Sequence, residues 1–502
     1  MNASPKLSRR SLLAGASVVA GASVVAGTPR SSRADGPKPP KFLIVLGASG
    51  GASLIDGPLA IRAGESSNTA TINVYPDASV TSPGDSPLRA VSYAASKVGP
   101  IPYAISTSQQ EFIAKRGKDM LVVTSTGTSV NHGVAQRRSV TGNEAWAGRT
   151  LQELVAKEYG ASALIPNVHL VTGSEFTARG SDASLPASAF GETVPDPLLF
   201  PLGLHGYRGI AGGDRGDLVA KARALRDTKL QRASKFSRVF EDARAIARFR
   251  ALRGAQGALE SADLISKLMI VADGPSYPLG KHGLSSSPAA AKVRARFPDY
   301  DKDPLEAQAA LAYLLLTQGV SVTVTLGANS NFVYTGEGGY NANKLEPGAV
   351  RNLPIAFDYS HTSHRSAQAF MWQRMYKIAD GLIDLLSSTE YEAGASYWDR
   401  SAIYIATEFG RTKNRPANAT EFSSGHDLNN GVVVLSPMAR GNTVLGGVDA
   451  NTGLTYGFDL ATGAPDKGRS TQEREVFAGL LGIMGVGTEG SGLPAVPAMR
   501  RG

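Results

Sequence analysis

The chain reads as an α/β protein: one large, mostly parallel sheet sandwiched by helices. Short aliphatic runs without polar interruptions suit strands buried on both faces, and they alternate with longer segments whose apolar residues recur at helical spacing. No repeat with a fixed period of roughly 20 to 50 residues appears beyond the N-terminus, which argues against a solenoid or propeller.

After the linker Asp35–Pro40, Phe42–Leu46 predicts a buried strand, followed by the glycine-rich turn Gly47–Ser53 and then Asp56. Met120–Thr124 is a second strand, and polar residues from Ser125 to Asn131 lead to His132 and a helix. A helix from about Ala145 to Tyr159 precedes a strand at Val168–Val171. Helix Pro304–Gln318 and strand Ser321–Leu326 follow, and Gly327–Asn343 reads as a long loop, either a lid or a surface insertion. The spacing of Phe370, Met371, Met375, Ile378, Leu382 and Leu385 predicts a helix over Arg365–Leu386, which puts Asp358 and His361 in the turn before it. Ser401–Ala406 is a strand running into Thr407-Glu408-Phe409-Gly410-Arg411-Thr412; Val432–Leu435 is a late strand and Gln472–Leu481 a closing helix.

The N-terminus carries Ser8-Arg9-Arg10-Ser11-Leu12-Leu13, an apolar stretch rich in Gly, Ala and Ser to Gly27, and Ser32-Arg33-Ala34. This is the pattern of a twin-arginine signal with cleavage near Ala34, and it predicts a protein handed to the twin-arginine export machinery and placed in the periplasm or outside the cell. The stretch is too short and too weakly apolar for a membrane anchor. Residues 1–34 are then signal and 35–502 one domain, with no later apolar segment long enough to span a membrane.

There is no cysteine, so disulfides, thiolate metal sites and a cysteine nucleophile are excluded. The formal charge of +9 less the five signal residues Lys6, Arg9, Arg10, Arg30 and Arg33 leaves +4, too small an excess to point to nucleic acid. Basic residues do concentrate at 214–254, where helical spacing predicts amphipathic helices with a solvated basic face.

Mixed carboxylate and imidazole sets on strand-tip loops hold divalent metals. Asp56, Asp358, His361, Glu408 and His426 have the right chemistry and all fall at predicted strand or helix ends, Asp358 and His361 in one turn and the others on loops of their own. Each alone has a structural explanation as a helix cap, a turn residue or a satisfied polar group. Arg411 suits either an oxyanion, through its planar fork, or Glu408 as a salt-bridge partner. His364 is either a further ligand or simply the first turn of the helix after His361.

Glu408–Thr412, Gly425-His426-Asp427, Phe357–His361 and Gly50–Asp56 together resemble secreted bacterial proteins grouped as domain-of-unknown-function family 1501, related to the alkaline phosphatase and sulfatase superfamily. The resemblance runs from about Phe42 to Gly485. It implies an alkaline phosphatase-like fold and a pair of divalent ions, zinc, manganese or magnesium, on loops at the sheet edge. Asp56, Asp358, His361, Glu408 and His426 match its metal ligands. Two departures stand out. The family has Asp-Thr-His where this chain has an extra residue between Asp358 and His361. The position of its nucleophile holds His132, within Ser129–Arg138. A histidine cannot form the usual seryl or threonyl ester, but it can serve as nucleophile, metal ligand or general acid. The implied activity is a metal-dependent hydrolase acting on a small phosphate or sulfate ester, with His132, Arg137 and Arg411 contacting the anionic group. The alternative is a non-catalytic cell-envelope protein that keeps the fold for binding or assembly.

Overall fold

The computed structural model describes residues 38–92, 108–171, 173–205, 216–230, 233–235, 239, 263–327, 334–335, 339–340 and 357–502. The chain divides into Met1–Pro39 and a unit spanning Pro40–Gly502. The signal expected at residues 1–34 lies outside the described residues.

Eight strands make the central sheet: β1 Phe42–Ala48, β2 Met120–Thr126, β3 Asn167–His169, β4 Glu192–Thr193, β5 Thr323–Gly327, β6 Ser401–Thr407, β7 Asn429–Leu435 and β8 Thr443–Leu445. Their order is β8-β2-β7-β6-β1-β5-β3-β4. Every neighbouring pair is parallel except the two that involve β7, which runs against β2 and β6. The α/β class with a mostly parallel sheet is thus as expected. All residues of β1 and β6 are buried, the signature of strands covered on both faces.

Helices flank the sheet in two sets. Gln109–Arg116 (α1) and Pro304–Thr317 (α4) each pack on His364–Ser387 (α5), while His132–Thr141 (α2), Leu151–Tyr159 (α3) and Glu473–Met484 (α6) form the second set. Among the described residues no helix is long and apolar enough to cross a membrane.

Two expectations need correction. The helix expected from Ala145 begins at Leu151, with Thr150 as its cap accepting from the Glu153 amide. The preceding residues cannot be helical, because Gly142, Asn143, Glu144, Ala147 and Gly148 all have φ between 50° and 66°. The long loop from Gly327 holds a two-stranded ribbon, Tyr334–Thr335 against Gly339–Tyr340. In the basic segment a helix runs Gly216–Leu225 and widens at Arg226–Leu230; most of the rest lies outside the described residues.

The parallel strands β1, β2, β5 and β6 all end at one edge of the sheet, and antiparallel β7 begins there. The loops that follow β1, β2 and β6 meet the segment that precedes β7 and the turn that precedes α5. That edge carries the candidate site, as the topology of open α/β sheets favours.

Candidate metal centre

The glycine turn after β1 sets the first constraint. Gly50 and Gly51 have φ of 98° and 83°, a region side chains avoid. A Cβ on Gly50 would overlap the Asp358 amide nitrogen, and one on Gly51 would strike the Phe409 ring. Only glycine lets the turn press against the short 3₁₀ segment Phe357–His361 and fix Asp358 at the sheet edge.

Asp358 Oδ1 is the hub. It lies 3.5 Å from His132 Nε2, 3.4 Å from His361 Nε2 and 3.8 Å from His426 Nε2, and accepts a hydrogen bond from Arg411 Nη2 at 3.0 Å. One ligand atom each from His132, Asp358 and His426 lies within 4.8 Å of the others, the single such group among the described residues. Phe409, fully buried, stacks on His426 with ring centroids 4.1 Å apart.

The ring tautomers follow from the outer partners. His426 Nδ1 is 2.9 Å from the Val130 carbonyl, which only accepts, so Nδ1 carries the proton and Nε2 keeps its lone pair. Burial, followed by the nearby Arg411 guanidinium, pushes His426 down to about 4, so it is neutral over the physiological range. His132 Nδ1 donates to Glu408 Oε1 at 2.8 Å and thereby aims Nε2 at Asp358. That same hydrogen bond raises the His132 pKa against its partial burial. Two imidazole nitrogens and a carboxylate oxygen, each ring oriented by an acceptor on its far side, form a donor set that fits zinc or manganese.

His361 stands slightly apart. Its Nε2 is 2.8 Å from His426 Nε2, a hydrogen-bond distance, shorter than the roughly 3.3 Å that two nitrogens sharing a tetrahedral ion keep. With His426 Nε2 bare, His361 donates. Burial and Arg411 lower its pKa.

Glu408 lies behind the cluster. Its side chain is fully buried and accepts from His132, from Gln136 Nε2 at 2.6 Å and from the Gly50 amide. It orients His132 rather than facing the opening, which differs from the ligand role expected for it. Arg411 departs from both of its expected roles. Its guanidinium is fully buried, with the carbonyls of Gly50, Gly51, Phe357 and Ser424 and the Asp358 carboxylate as acceptors. Nη2 is shared among three of these acceptors, Nε and Nη1 have one each, and the side chain is wholly enclosed, so the guanidinium does not face an incoming oxyanion. It braces Asp358, not Glu408. Arg137 turns away on α2, bound to Glu144 Oε1 at 2.5 Å, Ser181 Oγ at 2.9 Å and the Arg179 carbonyl at 3.2 Å.

Asp56 is not drawn into the cluster. It is fully buried and accepts from Ser53 Oγ at 2.6 Å, Asn73 Nδ2 at 2.9 and 3.0 Å, Tyr75 and His364 Nε2 at 2.9 Å. Burial alone would raise its pKa, but the His364 charge and these donors outweigh it and hold the carboxyl well below its usual range. His364 Nδ1 continues to Ser424 Oγ at 2.7 Å. Asp56, His364 and Ser424 have the connectivity of a serine-hydrolase triad. Their exposures of 0, 0 and 3% bar any ester, so the set is structural. His364 is the residue least legible in the sequence: its spacing three beyond His361 fits a helix turn as well as a ligand.

A strap aligns the imidazoles of His361 and His426. The Glu421 carboxylate accepts the Arg365 and Ser366 amides at 2.8 and 3.0 Å, capping α5 from a distant loop. The His364 amide donates to the Phe422 carbonyl at 2.7 Å, and Ser424 N to Ser360 O at 3.0 Å. Loop 421–425 is thereby fixed to the turn bearing His361, and His426 follows directly from it.

No family model, curated protein or solved structure matches the chain.

Proposed function

We propose that the chain is an exported, metal-dependent hydrolase of the alkaline phosphatase and sulfatase-like class, related to domain-of-unknown-function family 1501 and acting on a phosphate or sulfate ester. The observation that carries this reading is the convergence of His132, Asp358 and His426 at the carboxyl edge of a mostly parallel sheet. These three residues would hold one divalent ion, with His361 at its margin. A bound ion would supply Lewis acidity toward an oxygen of the ester and charge neutralisation as the bond breaks.

The chain's own residues supply the rest. Asp358 is held in place by Arg411, and His132 by Glu408. Among the described residues no hydroxyl is hydrogen-bonded to the side chains of His132, Asp358, His361 or His426, which favours attack by water over attack by a serine or threonine. With an ion on His426 Nε2 the hydrogen bond from His361 would be released, and His361, whose pKa burial and Arg411 lower, could then turn its lone pair to that water and take its proton. The water oxygen bonds to phosphorus or sulfur, the ester bond to the alcohol oxygen breaks, and the proton passes to the departing alcohol. Export is proposed from the twin-arginine pattern at Arg9-Arg10.

The test is a screen of phosphomonoesters, phosphodiesters and sulfate esters with added zinc, manganese or magnesium, beside a His132→Ala, His426→Ala double variant. Turnover that requires the ion and is absent in the variant supports the reading. Turnover that survives in the variant, or a protein that takes up none of the three ions, sinks it.

A further inference from the structure

The exposed large apolar side chains among the described residues fall into two groups. Six lie between Leu199 and Val239; the other four are Val130, Val134, Leu428 and Leu454. Three of these four sit two residues from an imidazole of the cluster: Val130 and Val134 on either side of His132, and Leu428 after His426. Their exposures are 42, 41 and 40%, unusual beside a site otherwise built of charged and hydrogen-bonded groups.

The two loops are joined side by side. The Gly127 amide donates to the Leu428 carbonyl at 2.7 Å and His426 Nδ1 to the Val130 carbonyl at 2.9 Å, continuing the pairing of β2 with β7 that ends at Thr126 and Asn429. Leu428 follows His426 by two, at a bend just before β7, and its carbonyl is the one that holds the Gly127 amide. Exposed apolar side chains grouped at the mouth of a polar site are what an amphiphilic ligand requires, whereas scattered ones need no explanation.

We propose that Val130, Val134 and Leu428 form an apolar lip that receives the carbon side of the substrate, so that the substrates are phosphate or sulfate esters of apolar alcohols. The inference rests on the metal-dependent hydrolase reading above. The oxyanion end meets the cluster, and the alkyl or aryl end lies across the two loops and leaves water as it binds. Discrimination then appears chiefly in KM, because the lip touches a part of the substrate that does not change during bond cleavage.

The experiment uses zinc-loaded and manganese-loaded full-length protein and a series of n-alkyl phosphates and n-alkyl sulfates, ethyl to octyl, whose leaving alcohols differ little in acidity. The efficiency kcat/KM is expected to rise about tenfold from ethyl to hexyl, from methylenes partly withdrawn from water. Leu428→Ser with Val130→Ser should flatten that dependence, while Leu428→Met should retain it; thermal unfolding of each variant verifies that it is folded. Equal efficiency on ethyl and hexyl esters, or a slope unchanged in the serine variant, overturns the lip and leaves metal-dependent hydrolysis standing. No turnover of any ester by the loaded protein overturns both.

Discussion

His132 and Glu408 form an imidazole and carboxylate pair, Nδ1 to Oε1 at 2.8 Å, which ties the first residue of α2 to the tip of β6. Two elements 276 residues apart in sequence are brought together by this contact, and it determines which ring nitrogen of His132 faces Asp358. Glu408→Ala should therefore weaken zinc binding about 10- to 100-fold, the usual effect of losing an orienting partner behind a metal-bound histidine. It also leaves the Gly50 amide and Gln136 without their acceptor, at a stability loss of about 1–3 kcal/mol. Competition titration against a chromophoric chelator reads the first and chemical denaturation the second. Undiminished affinity in the folded variant would remove His132 from the ligand set.

Zinc at about 100 times its dissociation constant should stabilise the wild-type protein by about 2.7 kcal/mol. His426→Ala and Asp358→Ala should each lose most of that gain, since they remove donors from the one described ligand group. Differential scanning calorimetry with and without zinc is the measurement; a variant that keeps the full thermal shift excludes its residue.

Asp56→Ala separates a structural role from a metal role. Removing the carboxylate strands His364, Asn73 and Tyr75 in a buried site, with an expected loss of about 3–5 kcal/mol. The zinc affinity of whatever fraction remains folded should be unchanged. A folded Asp56→Ala protein that has lost zinc would instead give Asp56 the ligand role that the family resemblance implies.

Gly50→Ala has no space for its methyl group, which would overlap the Asp358 amide at a φ of 98°. The turn must move, and Asp358 with it. We expect a loss of more than about 3 kcal/mol together with weakened zinc binding. A variant as stable as the wild type would show that the turn and the 357–361 segment do not pack as described.

His169 supplies a pH dependence unrelated to the metal. It is buried at the end of β3, and desolvation lowers its pKa from 6.5 to about 4. Between those values the unfolded chain takes up a proton that the folded one refuses. Its contribution is fully present above pH 6.5 and is lost as pH falls toward 4, to a total of roughly 3 kcal/mol. Across this window on acidification the wild type should lose roughly 3 kcal/mol relative to His169→Leu, as read from stability curves of the two proteins. Curves that stay parallel from pH 7 to 4 would show that His169 does not titrate as a buried neutral group.

The strands and long helices were legible because burial writes itself into local sequence. Phe42–Leu46 and Ser401–Ala406 are continuous apolar runs, and the Phe370 to Leu385 spacing marks α5. The Ala145 boundary was not legible, because composition does not reveal a run of positive φ at Asn143 and Glu144. At the site, sequence chemistry singled out Asp358, His361 and His426, the family resemblance pointed to His132 at the nucleophile position, and all four meet at the sheet edge. Sequence alone could not sort donors that face the opening from donors that hold them. Glu408, Arg411 and Asp56 carry the same functional groups as ligands and anion binders do, and only the partners across the fold distinguish them. Hydrogen-bond direction and burial are properties of residues hundreds of positions apart: Gly50 for Glu408, four carbonyls and Asp358 for Arg411, His364 for Asp56. The residue types were therefore set by the sequence, and their roles by the tertiary contacts that use up or leave open each donor and acceptor.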